Sequence, residues 1–87
     1  MLENLRSVKC LLILIAICVR RRTSFKEVLV ASGVKRSTAW DCLINLERDG
    51  LVEIKKVLTL LGPRTLIECT EKGSAALREL KRALEEV

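Results

Sequence analysis

Eighty-seven residues, 49% of them apolar, can build one packed core; they exclude a disordered segment and a chain of several domains. Sixteen Lys and Arg against eleven Asp and Glu leave a net charge of +5, which favours an acidic partner such as nucleic acid. With no His and no nucleophile-elbow, metalloprotease, phosphate-loop or dinucleotide motif, no catalytic constellation and no cofactor site is expected, so the chain reads as a non-enzyme.

The first segment, residues 2–19, reads as a helix, with Leu5, Val8, Leu12 and Ile15 on one stripe. From Cys10 onward it is apolar on every side, and such a helix must be enclosed. The ten-residue run 10–19 falls short of the roughly twenty that a bilayer requires, and Arg20-Arg21-Arg22 follows it where a cleavage site would need small residues. No membrane partner is expected. In so small a domain a second copy of the chain is the expected cover, so Leu5, Leu12 and Ile15 are assigned to a dimer interface.

Ser24-Phe25-Lys26-Glu27 has capping-box spacing and predicts a short helix that ends at Gly33, with Phe25, Val28 and Leu29 inward. Gly33-Val34 then turns into a third helix, from about Arg36 to Asp49. Its buried stripe is Ala39, Leu43 and Leu46, and Gly50 is its left-handed stop. Residues 51–60 and 64–69 flank Gly62-Pro63 and predict a β-hairpin. Thr70 caps a last helix to about Glu86, whose Leu77, Leu80 and Leu84 form a second dimer stripe. Helix, helix, turn, helix, hairpin, helix describes an α+β, mainly helical, winged helix-turn-helix: a three-helix core, a two-stranded wing and a C-terminal dimerisation helix.

Such a motif reads DNA through the N-terminal half of its second helix and grips phosphates on either side. On the third helix, Ser37, Thr38, Trp40, Asp41 and Asn45 lie on or beside the face opposite Ala39, Leu43 and Leu46, with Ile44 flanking them. Lys35 and Arg36 stand at its start, Lys26 precedes them, and Lys55, Lys56 and Arg64 sit on the wing. Residues 20–36 hold Arg20, Arg21, Arg22, Lys26, Lys35 and Arg36 against Glu27 alone, six minus one, which equals the whole net charge. Residues 70–87 carry four basic and four acidic residues. That asymmetry points to one binding face, with Arg20–Arg22 serving first as charge complement to the end of the first helix.

Cys10, Cys18, Cys42 and Cys69 are spaced by 8, 24 and 27, with no CxxC pair, so no metal is expected. Without a secretory signal the thiols read as reduced and buried, Cys42 as a filler beside the Ala39/Leu43 stripe.

Ser37–Glu53, STAWDCLINLERDGLVE, resembles the recognition-helix signature of the MarR and PadR groups of winged-helix regulators, T-hydrophobic-aromatic-x-x-L-x-x-L-E-x-x-G-L-V, matched at Thr38, Ala39, Trp40, Leu43, Leu46, Glu47, Gly50, Leu51 and Val52. Cys69–Leu77, CTEKGSAAL, is similar to the LTxKG junction between wing and last helix in the same groups. The resemblance implies a homodimeric, cytoplasmic, nucleoid-associated transcription factor, usually a repressor, joined through its terminal helices. It places Trp40 where an aromatic residue meets the phosphate backbone. Asp41 departs from the pattern, standing where a basic or small polar residue is usual; an acid there can accept from a cytosine amine. No separate sensing region is evident, so no small-molecule effector is assigned. Two rivals remain: an architectural protein that coats duplex without preference, and a winged helix used for protein–protein contact.

Overall fold

A computed structural model describes residues 8–85. The elements run α1 (Val8–Arg20), β1 (Arg22–Ser24), α2 (Phe25–Ser32), α3 (Arg36–Arg48), β2 (Val52–Thr59), β3 (Gly62–Cys69) and α4 (Glu71–Glu85). This is the expected order with one addition. Arg22–Ser24 pairs antiparallel with β3, so the wing belongs to a three-stranded sheet of order β1-β3-β2 and not to a free two-stranded hairpin. Three residues flanked by an Arg run and a capping box carry too short a pattern to read as a strand.

The predicted ends hold because specific atoms close them. The Ser24 hydroxyl accepts from the Glu27 N–H at 3.2 Å and donates to the Glu27 carboxylate at 3.1 Å. Gly33 closes α2 at φ +67°, its N–H donating to the Leu29 carbonyl. At the end of α3, Gly50 at φ +76° donates to the Glu47 carbonyl and Leu51 to the Leu46 carbonyl, both at 2.9 Å, which is a Schellman closure. Thr70 caps α4: its hydroxyl accepts from the Gly73 N–H at 3.0 Å and lies against the Gly50 and Leu51 carbonyls.

The core gathers one face from each helix. α1 contributes Cys10, Ile13, Leu14 and Ile17, α2 contributes Val28, and α3 contributes Ala39, Cys42, Leu43 and Leu46. Leu51, Val52 and Ile67 complete it from the sheet side. The stripe that contained Val8, Leu12 and Ile15 is therefore the other side of α1: Val8 and Leu12 are exposed and Ile15 is half-buried. Periodicity alone cannot choose between two faces that are both apolar. Leu5 lies outside the described residues.

The turn also sits two residues earlier than expected. Leu60 and Leu61 form it, while Gly62 and Pro63 already pair with Thr59 and Leu58 inside the hairpin. Proline is tolerated there because β1 reaches only Leu66–Glu68, which leaves the outer edge of β3 free at Pro63.

The reduced-thiol expectation is overturned. All four cysteines are paired, Cys10 with Cys42 and Cys18 with Cys69. Each bond ties α1 to another element, first α3 and then the end of β3. The spacings that argue against a metal site say nothing about disulfides between distant elements, because four cysteines allow three pairings.

Candidate DNA-binding face

α3 presents its buried stripe inward, so geometry turns Arg36, Ser37, Trp40, Asp41 and Ile44 outward; each is exposed. Thr38 and Asn45 are half-buried at the margins of this face. Asn45 lies nine residues beyond Arg36, about 13 Å further along at 1.5 Å per residue, and so outside the N-terminal half. The residue before the helix, Lys35, makes no side-chain capping bond, so the first-turn N–H groups meet no side-chain acceptor there. A helix start without a side-chain cap, the positive end of the helix dipole and two adjacent cations suit a phosphate.

Trp40 is 37% exposed and packs edge-on against Phe25, with ring centroids 5.5 Å apart at 82°. The Arg36 guanidinium lies 5.3 Å from the centre of the Phe25 ring. This Arg36–Phe25–Trp40 contact holds a cation and a partly exposed indole at the start of α3. Phe25 is the residue that sequence reasoning placed only in the core; it is half-buried and floors the site. Its partners are 11 and 15 residues away on another helix, and no local pattern announces that contact.

Lys35, Arg36, Ser37 and Trp40 line a cleft of about 610 Å³ whose far wall is Lys56 and Thr65 of the sheet. An adjoining cleft of about 530 Å³ brings Lys26 and Arg64 against Phe25 and Arg36. Five of the expected cations, Lys26, Lys35, Arg36, Lys56 and Arg64, thus line two adjoining clefts that share Phe25, Arg36 and Thr65.

Lys55 does not join them. Strand alternation turns it to the side opposite Lys56, where its ammonium lies 3.6 Å from Glu68 and 3.9 Å from Glu53. Glu68 also takes the Arg22 guanidinium at 3.1 Å. The basic run 20–36 is likewise divided. Lys26, Lys35 and Arg36 face the clefts, whereas Arg21, with φ +65°, lines a different depression with Arg78 and Lys81 of α4 beside Cys18. Consecutive charges around a helix end and a three-residue strand cannot all face one way.

The motif residues without a place on this face have structural tasks. The Glu47 carboxylate accepts from the Ile54 N–H at 3.0 Å, fastening α3 to the start of β2. Gly73 packs directly on the Leu51 backbone, and a β-carbon there would collide with the Leu51 carbonyl. The dimer assignments fall on half-buried Ile15, Leu77 and Leu80 and exposed Leu12 and Leu84. Among the described residues no helix is long and apolar enough to cross a membrane, and no cluster of three or more acidic, Cys or His ligands could hold a metal.

No protein-family model matches the chain, and no curated protein matches it. Solved structures do. A putative MarR-family regulator from Enterococcus faecalis superposes with a TM-score of 0.84 at 22% identity, over 97% of this chain and 76% of that one. A transcriptional regulator homologue from Pyrococcus horikoshii gives 0.72 at 26%, over 97% and 92%. BpsR of Bordetella bronchiseptica, whose DNA binding is regulated by 6-hydroxynicotinic acid, gives 0.77 at 18%; this chain matches over 92% of its own length and spans 56% of that protein. The fold is the winged helix of MarR-type regulators.

Proposed function

We propose that the chain is a DNA-binding transcriptional regulator, without enzymatic activity, that acts as a homodimer on an inverted-repeat site and represses by occupying a promoter. The carrying observation is the concave face on which the exposed start of α3 and the cations Lys26, Lys35, Arg36, Lys56 and Arg64 converge. In this reading Ser37, Asp41 and Ile44 meet base edges, Ile44 through a thymine methyl. Thr38 and Asn45 flank them. Arg36, Lys56 and the Trp40 indole N–H hold phosphates. Lys55, paired with Glu53 and Glu68, is left off the contact surface.

The dimer reading rests on the outer faces of the terminal helices. Leu12 of α1 and Leu84 of α4 are 43% and 69% exposed, and α1 packs against α4. The 87 residues act as one domain, in the cytoplasm and on the nucleoid. Two disulfides are unusual for that compartment, except among hyperthermophiles, whose intracellular proteins retain them.

Selection of binders from random duplexes at two salt concentrations tests the reading. An inverted repeat recovered at both is expected. Enrichment of no sequence, with binding that vanishes as salt rises, would favour a non-specific architectural protein; absence of duplex binding at low salt would favour a protein-contact module.

A further inference from the structure

The wing ends in leucines. Leu58, Leu60 and Leu61 are 87%, 106% and 90% exposed, the most solvated cluster of large apolar side chains among the described residues. Two-residue hairpin turns ordinarily use Asn-Gly, Asp-Gly or a Gly-containing pair, because those residues tolerate the backbone and suit water. Leu60 and Leu61 keep negative φ and leave the strained backbone position to Gly62, so the turn tolerates them, but their side chains do not suit water. The tip is nonetheless well held. The Thr59 hydroxyl donates to the Gly62 carbonyl at 2.6 Å and accepts from the Leu61 N–H at 3.2 Å, Gly62 supplies a φ of +113°, and Pro63 follows. A held turn keeps its side chains presented in one place, which limits the ordering cost when a partner arrives.

The surroundings of the leucines indicate the partner. Strand alternation puts Leu58 on the same side as Lys56, which lines the cleft beside the start of α3, while Arg64, opposite Val57, leaves the other face of the hairpin and lines the adjoining cleft with Phe25 and Arg36. Cations at the base of the wing and a purely apolar tip match a polyanion whose interior is an apolar stack of bases. At about 3.4 Å per strand residue the tip extends roughly 13 Å beyond Lys56. With Lys56 at the phosphates, that length exceeds the ~7.5 Å depth of a minor groove. An anionic lipid surface or a protein partner would meet the same leucines, but the cations at the base of the wing are shared with α3, the helix that reads the duplex in the function proposed above.

We infer that the wing tip is an apolar wedge: Leu60 and Leu61 enter the minor groove flanking the α3 contact, partly unstack one base step, and bend the duplex. This rests on the DNA-binding reading above and adds to it a deformation and a preference. Wedges unstack flexible pyrimidine–purine steps most readily, so a TA or CA step at the wing position is favoured over an A-tract.

The test compares the parent with Leu60→Asn/Leu61→Gly, a pair that removes the wedge and keeps Thr59, Gly62 and Pro63, which hold the turn. Bend angle is measured by end-to-end energy transfer in duplexes recovered by selection, affinity by anisotropy, mass by sedimentation, and lipid attachment by co-sedimentation with anionic vesicles. The parent is expected to bend DNA by roughly 20–90°. The variant should bind the same core sites, lose most of the bend, and lose the preference for TA or CA at the wing position. A parent that binds while leaving the duplex straight overturns the wedge and leaves the regulator reading standing, as does a variant that bends DNA equally. A parent that binds no duplex overturns both. A variant whose only change is a smaller assembly or weaker attachment to anionic vesicles assigns the leucines to another copy or to lipid, and overturns the wedge.

Discussion

The base of this molecule and the tip of its wing treat leucine in opposite ways. At the base, Ile13, Leu14 and Ile17 of α1 are sealed against α3 and the sheet, and two disulfides pin the same helix to both. At the tip, Leu58, Leu60 and Leu61 touch little but solvent, held only by the Thr59–Gly62 turn. Between these extremes lies the face around Phe25 and Trp40, half-buried and ringed by cations. Stability is concentrated at one end, so the other can present groups that add nothing to folding. Side chains kept out of the core at a cost are informative, and those at the wing tip lie on the proposed path of the DNA.

That contrast can be broken from the base first. Closing loops of 32 and 51 residues stabilises by about 4 kcal/mol each in the chain-entropy picture. Replacing Cys18 and Cys69 by Ala should therefore lower the melting temperature by roughly 15–30 °C. A melt that matches the parent would mean that the bond does not form in solution, a conclusion that thiol counting checks independently. Gly73→Ala, driven into the Leu51 backbone, should cost about 1–3 kcal/mol, read from a denaturant midpoint.

Toward the functional face the stability effects shrink and binding effects replace them. Trp40→Ala should cost about 1–2 kcal/mol, the worth of a half-exposed ring with one edge contact, and not the roughly 3–5 of a core aromatic. Duplex affinity should fall with it. Leu80→Glu with Leu84→Glu should yield folded monomers in sedimentation; an unchanged dimer would contradict the terminal-helix interface. The smallest change is the sharpest. Lys56→Ala should flatten the salt dependence of duplex binding by about one unit of slope, while Lys55→Ala, its sequence neighbour, should leave the slope as it was.

Much of this was legible in the residues. Ser24, Gly33, Gly50 and Thr70 marked helix ends because capping is local chemistry, complete within three or four positions. The inward stripe of α3 followed from period alone, and with it the outward Ser37, Trp40 and Asp41. What stayed hidden was non-local. β1 exists because β3 offers it an edge, Phe25 meets Trp40 across two helices, and the cysteine pairs span 32 and 51 residues. Lys55 and Lys56 look equivalent in sequence, and only the ladder register and Glu68 on the facing strand separate them. The two faces of α1 were the other ambiguity, since one fills the core and the other awaits a cover.

The central claim is that DNA meets the chain at the start of α3. Trp40, the chain's single tryptophan, stands there and reports on it. A titration with the selected duplex, following indole emission and the anisotropy of labelled DNA in the same cuvette, tests the claim directly. Emission that shifts in step with anisotropy and saturates at the same stoichiometry is the predicted result. Full binding by anisotropy with the indole emission unmoved would place the DNA elsewhere on the molecule.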